Sequence, residues 1–306
     1  MAQSNPVAQP STTGSPFAEI IESIRSGDIV PYLGPGTLAG VGNALTGAQI
    51  PADSESLILA MNNGQPMAPR LMYEFPRAAM NLENKRGRSF VERFLNTTYA
   101  DTKWKTSPLH QWIAQLHAPY VIDINRDTQL QTLYRDRAHT LIVGAARLGA
   151  SQFRFNLYEF RVGPDDSGAY HEIEQPQINM SLPILFKPMG TPLPKPSYIA
   201  SDADYVDYIT ELMGGFAVPS QIKDYRKGKK YLLLGMHFKR DTERMVFADL
   251  IYGADTMAGW ALIPDATDKE IRFCAKKGVQ VLDAGWQKLL STAPASAAVN
   301  TQAEPA

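Results

Sequence analysis

The chain has 306 residues, of which 20% are charged, and its formal net charge is −1 at pH 7. This balance favours neither a nucleic acid nor an anionic membrane surface as a partner. Cys274 is the only cysteine, which excludes an internal disulfide framework and a zinc site built from several thiolates. No basic and apolar leader and no run of about eighteen apolar residues occurs, so the sequence predicts a cytoplasmic protein that neither enters nor crosses a membrane.

The two ends of the chain differ in composition from the middle. Residues 1–14 are rich in Ser, Pro, Gln and Thr, and residues 292–306 are rich in Ala, Pro, Gln and Ser. Such segments bury too little apolar surface to offset their conformational entropy. We therefore expect two disordered tails around one folded domain at 15–291.

The first elements of that domain are a helix and a strand. Ser15 and Pro16 are typical of a helix start, apolar residues recur at helical spacing as far as Ile24, and Gly27 ends the helix. The apolar run 29–33 then predicts a buried parallel strand. It ends in Gly34-Pro35-Gly36-Thr37-Leu38-Ala39, which fits the G-x-G-x-x-G/A pattern of dinucleotide-binding turns. An ordinary strand-to-loop turn would give the same pattern, and both interpretations stay open at this point.

Residues 39–56 are rich in Gly, Ala and Ser, which is more typical of a mobile loop that covers a ligand than of a helix. Beyond them, apolar spacing predicts a helical insertion at about 55–117, with short helices at 56–62 and 66–81 and a strongly amphipathic one through Leu109 and Leu116. His110 is expected on the surface of that last helix rather than as a ligand.

Strands and helices alternate through the rest of the chain. Residues 120–124 predict a second strand that leads into Asn125-Arg126-Asp127, and residues 151–174 predict a β-hairpin insertion. Residues 182–190, 231–238 and 279–283 add further strands with helices between them, and the basic run 226–230 is expected to be a solvated loop. This alternation predicts an α/β fold, a doubly wound, mostly parallel, Rossmann-like sheet.

Four of these strand ends carry motifs in a recognisable order. They are Ile29–Thr37, Ile122–Asp127, Leu185–Gly190 and Leu233–Asp241. Together they resemble the sirtuin-like NAD-binding family, whose first motif is Pro-Phe-x-Gly-Ala-Gly-x-Ser and whose later motifs are Thr-Thr-Asn-Tyr-Asp, Lys-Leu-His-Gly and Phe-x-Gly-Tyr-Ser-x-x-Asp. The pattern is most similar to the zinc-less sirtuin-like domains of bacteria, many of which hydrolyse NAD in defence systems.

The resemblance implies a sirtuin-type fold that binds NAD without zinc. Gly34, Gly36 and Thr37 would contact the pyrophosphate, and Gly235 with His237 would approach the adenosine side. Asn125 and Asp127 would hold the nicotinamide ribose and carboxamide. Family chemistry breaks the nicotinamide–ribose bond and uses a histidine base.

Met189 stands at the position of that histidine, and a thioether cannot accept a proton at neutral pH. The favoured interpretation is therefore a pseudoenzyme, a regulatory protein that binds NAD or an ADP-ribose-type nucleotide with a catalytically degenerate site. A first alternative is an NAD glycohydrolase or NAD-dependent deacylase with a displaced base, for which His237 is the best candidate ahead of His139 and His171.

Two further alternatives remain open. The loop, the hairpin and the tails would suit an interaction protein that binds a protein partner and keeps only a vestigial nucleotide site. A hydride-transferring oxidoreductase ranks last, because it needs a helix directly after Gly34–Ala39 and a strand that ends in an acid near Asp53 or Glu55.

Overall fold

The computed structural model describes residues 16–149, 151–163 and 168–292. The tail predicted at 1–14 lies outside these ranges, as does all but Thr292 of the tail predicted at 292–306. Within them, no helix is long and apolar enough to cross a bilayer.

A nine-stranded sheet forms the centre of the molecule. The described residues form eleven strands, nine in this sheet and two in a separate pair. In chain order they are Ile29–Leu33 (β1), Tyr120–Asp123 (β2), His139–Gly144 (β3), Phe155–Arg161 (β4), Ala169–Glu172 (β5), Ile184–Lys187 (β6), Gly190–Thr191 (β7), Ser197–Tyr198 (β8), Lys230–Leu234 (β9), Gly259–Leu262 (β10) and Val279–Leu282 (β11). Their order across the sheet is β11-β10-β9-β1-β2-β6-β3-β4-β5, and β7 pairs separately with β8. The seven strands from β11 to β3 are parallel, whereas β4 and β5 are antiparallel.

Helices cover the sheet and extend beyond it. They are Pro16–Arg25 (α1), Ser54–Met61 (α2), Phe75–Arg86 (α3), Arg88–Asn96 (α4), Pro108–Leu116 (α5), Gln129–Leu133 (α6), Asp202–Met213 (α7), Ser220–Tyr225 (α8), Asp241–Leu250 (α9), Asp268–Lys276 (α10) and Gln287–Thr292 (α11). Apolar residues of α1, α5, α6 and α11 pack on one face of the sheet, and those of α7 to α10 pack on the other. A third apolar cluster joins α2, α3 and α4 into a helical layer. The α/β class with a mostly parallel sheet covered on both faces is confirmed, and it is compatible with a Rossmann-like fold.

The sheet forms because successive strand residues face opposite layers of helices. In β1, Val30 and Tyr32 join the cluster under α7 to α10, while Ile29 and Leu33 join the cluster under α1 and α5. All five residues of β1 are therefore buried, as expected for a central parallel strand. The predicted β-hairpin is present as β4 and β5, which extend the same sheet at its β3 edge.

Several sequence predictions need correction. The helix predicted at 66–81 begins at Phe75, because Pro69 interrupts the earlier residues and Pro76 occupies the first turn, where proline is tolerated. The segment 39–56 is not wholly a loop, since α2 starts at Ser54 and Val41 and Ile50 are buried against the helical layer. The sequence pattern predicts no strand at 139–144 or 259–262, where the structure has β3 and β10.

Two polar residues are buried where an exposed position was predicted. His110 is fully buried, because its ring is turned toward Gln129, with Nδ1 3.2 Å from Gln129 Oε1. Arg226 is also buried, because its guanidinium donates to the carbonyl groups of Asp249 and Leu250 near the end of α9. Both corrections have the same cause: a polar side chain can leave the surface when another element supplies its hydrogen-bond partners.

Candidate functional site

A cavity of about 680 Å³ opens at the carboxyl ends of β1, β2 and β9. Strand β1 has β2 on one side and β9 on the other, and the chain builds the sheet outward from β1 in both directions. This makes the edge of the sheet between β1 and β9 a topological switch point, which is where open α/β sheets bind ligands. Residues from α2, α3, α7 and α9 complete the walls.

The glycine turn after β1 forms part of that edge. The Gly34 N–H donates to Leu234 O at 2.9 Å, the Gly36 N–H to Gly235 O at 2.8 Å, and the Thr37 N–H to Gly34 O at 3.0 Å. Since Pro35 has no N–H, every amide donor of 34–37 is already engaged. Pro35 and Gly36 line the cavity, whereas Gly34 and Thr37 do not. The expected amide grip on a pyrophosphate thus has no free donor at these four positions.

Close packing of two strand ends explains these glycines. A Cβ atom on Gly36 would lie 2.9 Å from Gly235 Cα, and a Cβ atom on Gly235 would lie 2.4 Å from Thr37 N. Gly235 also has a φ of +65°, which side chains rarely adopt. The turns after β1 and β9 therefore press directly on each other, and Gly235 lines the cavity beside Gly36.

Asn125, which follows β2, lines the cavity with a fixed orientation. Its Nδ2 lies 3.1 Å from Gly34 O, 3.0 Å from Thr37 Oγ1 and 2.9 Å from Asp123 Oδ1. Thr37 Oγ1 donates its own hydrogen to Gly34 O, so all three neighbours act as acceptors and the nitrogen must face them. No described residue donates to Asn125 Oδ1, which leaves this oxygen as the acceptor that the side chain can offer to the cavity.

Asp127 lies behind the cavity rather than in its wall. It is 1% exposed and belongs to a buried group in which ligand atoms of His110, Asp123 and Asp127 lie within 4.8 Å of one another. Lys187 Nζ donates to Asp123 Oδ2 at 2.7 Å and lies 3.9 Å from Asp127 Oδ2. The other Asp123 oxygen accepts from the backbone and side-chain nitrogens of Asn125. Lys187 is therefore the cation of this group, and a metal ion would find at most two uncommitted ligands, fewer than protein sites normally supply.

Arg126 is a cavity residue to which the sequence analysis gives no role. It is 8% exposed and lines the cavity. Its Nη2 donates to the Ile199 carbonyl, and its guanidinium carbon lies 5.4 Å from the Phe75 ring centre. Its Nε is buried without a partner, and no carboxylate of the described chain lies within 4.0 Å of its nitrogens.

Without a counter-ion among the described residues, Arg126 is available to pair with an anion. Burial of a charge is costly unless the charge is paired, and Arg126 has neutral partners only. A guanidinium in this state can bind a phosphate or carboxylate through two parallel hydrogen bonds. The only hint in the sequence is its place between Asn125 and Asp127 at the end of a parallel strand.

His237 lies at the cavity rim beside a buried carboxylate. Its Nδ1 is 3.3 Å from Glu270 Oε1, and Glu270 is 1% exposed. Burial acts to raise the pKa of Glu270, but hydrogen bonds from Thr267, the Phe238 N–H and His237 outweigh it and lower the pKa to about 2. Glu270 is therefore ionised at neutral pH and orients the His237 ring. Of the five histidines, His237 alone lines the cavity.

Met189 lines the cavity and is 4% exposed. Neither of the other candidate bases stands near it in the cavity wall. His139 is buried between strands, where its Nε2 lies 2.9 Å from the Tyr170 hydroxyl and burial lowers its pKa. His171 is exposed on β5. Of Met189 and the three histidines considered as substitute bases, only Met189 and His237 therefore line the cavity.

Glu243 is a second cavity residue that the sequence reading missed. It lies in the first turn of α9, where its Oε2 accepts the Arg240 N–H at 3.0 Å. No described residue donates to its Oε1, and no cation lies within 4.0 Å of it in the described chain. Burial raises its pKa to about 7, the Arg240 N–H and charge oppose that rise, and the nearby Glu74 and Glu270 carboxylates add to it. An acid in the first turn of a helix is so common that the sequence carries no further signal.

No family model matches the chain, and no curated protein matches it. Its function must therefore be inferred from the chemistry of the cavity residues.

Proposed function

We propose that this cavity binds NAD or an ADP-ribose-type nucleotide and that the protein is a sirtuin-like nucleotide-binding protein with a regulatory role. The resemblance of the four sequence motifs to the sirtuin-like family suggests the ligand class. The cavity volume of about 680 Å³ falls within the range of small-molecule and cofactor sites.

The observation that carries the proposal is the unpaired Arg126 in the cavity wall. A pyrophosphate supplies the negative charge that no described side chain supplies, and its oxygens match the planar guanidinium. The Arg126 side chain, rather than the backbone amides of 34–37, would therefore contact the anion. A neutral ligand would leave the buried charge uncompensated, so the proposal excludes free adenosine and free nicotinamide as tight ligands.

Asn125 offers the second polar contact. Its Oδ1 is a fixed acceptor, because the amide nitrogen is held by three other acceptors. A ribose hydroxyl or a carboxamide N–H of the nucleotide would donate to it. Aromatic and apolar wall residues, among them Phe75 and Val246, suit the flat rings of such a ligand.

The test compares thermal unfolding with and without ligand for the wild type and the variant Arg126→Met. At a concentration a hundredfold above Kd, NAD or ADP-ribose should stabilise the wild type by about 2.7 kcal/mol, an increase in Tm of about 5 °C. Adenosine and nicotinamide should give no increase. Arg126→Met should lose the increase, with Kd weakened by about 100-fold or more.

The unliganded Arg126→Met protein gives a second readout. Because the variant removes an uncompensated buried charge, its Tm without ligand should equal or exceed that of the wild type. The control Arg137→Met removes an arginine that is paired with Asp136 outside the cavity, and it should keep the response to NAD. A wild type that does not respond to NAD or ADP-ribose would reject the proposal in favour of the interaction-protein alternative.

The oxidoreductase alternative lacks its expected elements. The residues after Gly34 form a single 3₁₀ turn, Pro35–Leu38, and the next helix starts only at Ser54. Asp53 caps that helix by accepting the Ser56 N–H and does not end a strand. Neither the helix nor the acidic strand end that this reaction class requires is present at 35–56.

A further inference from the structure

One edge of the nine-stranded sheet is open within the described chain. Strand β11 pairs with β10 on one side, and no described strand pairs with its other side. Leu282 O accepts the Ile263 N–H, so the backbone groups of Leu282 face β10, and by alternation those of Val281 face outward. Apart from its short length, β11 has no lysine, proline or bulge of the kind that keeps an edge strand from pairing with another chain.

An apolar groove of about 420 Å³ runs along this open edge, between β11 and α10. Ile271 and Ala275 lie one helical turn apart on α10 and line the groove, and Val281 lines it from the strand. Ile271 is 44% exposed. An apolar groove beside an unpaired strand suits the addition of a further strand, because main-chain hydrogen bonds then supply affinity and side chains fill the groove.

The charges beside the groove are divided between its two ends. Helix α10 runs back from the carboxyl end of β10 to the amino end of β11. Asp265 and Asp283 therefore lie at the carboxyl end of β11, where the Asp265 N–H donates to Asp283 Oδ1 at 3.1 Å, whereas Lys276 in the last turn of α10 lies at the amino end. Asp268 and Lys269 at the start of α10 offset each other. Asp265, Asp283 and Lys276 are exposed, and none of them forms an ion pair within the described chain.

We propose that the occupant of this groove is a second copy of the chain, whose β11 pairs antiparallel with the first across a two-fold axis. Such an interface is isologous, since both copies present the same edge. The antiparallel direction places the amino end of each β11 beside the carboxyl end of the other. Lys276 of each copy then lies at the end of the groove that holds Asp265 and Asp283 of the other copy, and one sheet continues through both.

The division of charge favours this occupant over others. A uniformly acidic or basic peptide would complement only one end of the groove. A second copy in the parallel direction would place lysine beside lysine and aspartate beside aspartate, which is unfavourable. The antiparallel second copy complements both ends at once.

The edge pairing does not involve the nucleotide cavity. Strand β10 separates β11 from β9, and no residue that lines the groove also lines the cavity. Self-association and nucleotide binding are therefore measured separately, and failure of one leaves the other standing.

The experiment measures molar mass by sedimentation velocity from about 1 to 100 µM protein, a range that brackets the micromolar Kd expected of a small interface. The wild type should change from monomer to dimer over this range. Ile271→Arg should weaken dimerisation by about 30-fold or more, because it places a charge from each copy in the apolar groove. Met245→Arg is the matched control and should dimerise as the wild type does, since Met245 is also 44% exposed but lines neither the groove nor the cavity.

Charge reversal tests the antiparallel direction. Asp283→Lys alone and Lys276→Glu alone should each weaken dimerisation by about tenfold at low ionic strength, because each homodimer then brings like charges together at both ends. An equal mixture of the two variants should dimerise as the wild type does, because in the mixed dimer each lysine meets a carboxylate of the other copy.

Each failure has a defined meaning. A wild type that stays monomeric at about 100 µM overturns the proposal and excludes a second copy as the occupant of the groove. If Ile271→Arg dimerises as the wild type does, the dimer forms through another surface and edge pairing is rejected. If the mixture associates no more strongly than the single variants, the antiparallel direction is rejected. The Tm of each variant shows that it is folded, and the charge reversals test the same edge without altering its apolar side chains.

Discussion

Gly34, Gly36 and Gly235 show, at the scale of single residues, that one sequence pattern can have two physical causes. A phosphate-binding turn needs glycine so that the backbone can approach the ligand, and two strand ends in contact need it so that the backbones can approach each other. Here the second cause accounts for all three positions. A Cβ atom on Gly34 would lie 2.7 Å from Gly235 O, and one on Gly36 would lie 2.9 Å from Gly235 Cα, so both positions contact Gly235 directly. The residue type alone does not distinguish them.

Replacing Gly235 with alanine should therefore destabilise the protein strongly. The new Cβ would lie 2.4 Å from Thr37 N and 2.6 Å from Gly36 C, in addition to the cost of alanine at a φ of +65°. We expect the free energy of unfolding to fall by more than about 3 kcal/mol, as measured by urea denaturation.

Gly228 provides the matched control. Its φ is +71°, but a Cβ there would have no neighbour within 4 Å. Gly228→Ala should lower the free energy of unfolding by about 1 kcal/mol, because only the unfavourable φ opposes the alanine. Equal losses for the two variants would show that the turns after β1 and β9 are not in close contact.

At the scale of elements, the helical layer of α2, α3 and α4 is tied to the rest of the molecule by Asp204. This buried residue of α7 accepts the backbone N–H groups of Ala200 and Ser201 at 2.9 Å. It also binds Arg88 of α4, and Arg147 Nε lies 2.8 Å from it. Although burial acts to lower the pKa of Arg88, Asp204 and Glu92 outweigh it and raise that pKa. One carboxylate thus joins α4, α7 and the segment after β3.

Asp204→Asn should lower the free energy of unfolding by about 3 kcal/mol, because it leaves two partly buried arginines with less negative charge around them. Urea denaturation gives this value directly. Asp241→Asn removes one side of the Asp241–Arg244 pair, in which the carboxylate is 79% exposed, and should cost less than about 1 kcal/mol. A loss for Asp204→Asn as small as that control would mean that the helical layer is held by apolar contacts alone.

At the scale of the whole molecule, the sequence determines the class of fold and the edge of the sheet that holds the cavity. Buried runs such as 29–33 and 231–234 mark parallel strands, and parallel strands place their carboxyl ends at one edge. Of the site residues that the resemblance implies, Gly36, Asn125, Gly235 and His237 line the cavity, whereas Gly34, Thr37 and Asp127 do not.

The sequence could not show which charges stay unpaired. Arg126 and Glu243 are ordinary residues at a strand end and in a first helical turn, and their meaning depends on which side chains of distant elements reach them. Asp127 illustrates the reverse case, since Lys187 from β6 lies near its carboxylate behind the cavity. Counter-ions are a property of the packed molecule, so charge alone in the sequence did not identify the site.

The pH dependence of unfolding tests the state of Glu243 in the whole molecule without any ligand. Its pKa is about 7 in the folded protein, where the ordinary value is 4.5, so the folded state holds a proton that the unfolded state has released. This contribution to stability is complete below about pH 4.5 and is lost as the pH rises through about 7, a change on the order of 2–3 kcal/mol. Glu270 has a pKa of about 2, so its contribution falls only in acid and does not interfere.

Glu243→Gln has no proton to lose in this range. The free energy of unfolding of Glu243→Gln relative to wild type, measured by urea denaturation, should therefore increase from pH 5 to pH 8. Other groups that titrate between these values, such as His139 with its lowered pKa, contribute equally to both proteins and cancel. Asp241→Asn should follow the wild type at every pH. Parallel curves for Glu243→Gln and wild type would show that Glu243 is already ionised at pH 5, contrary to a pKa of about 7 in the folded protein.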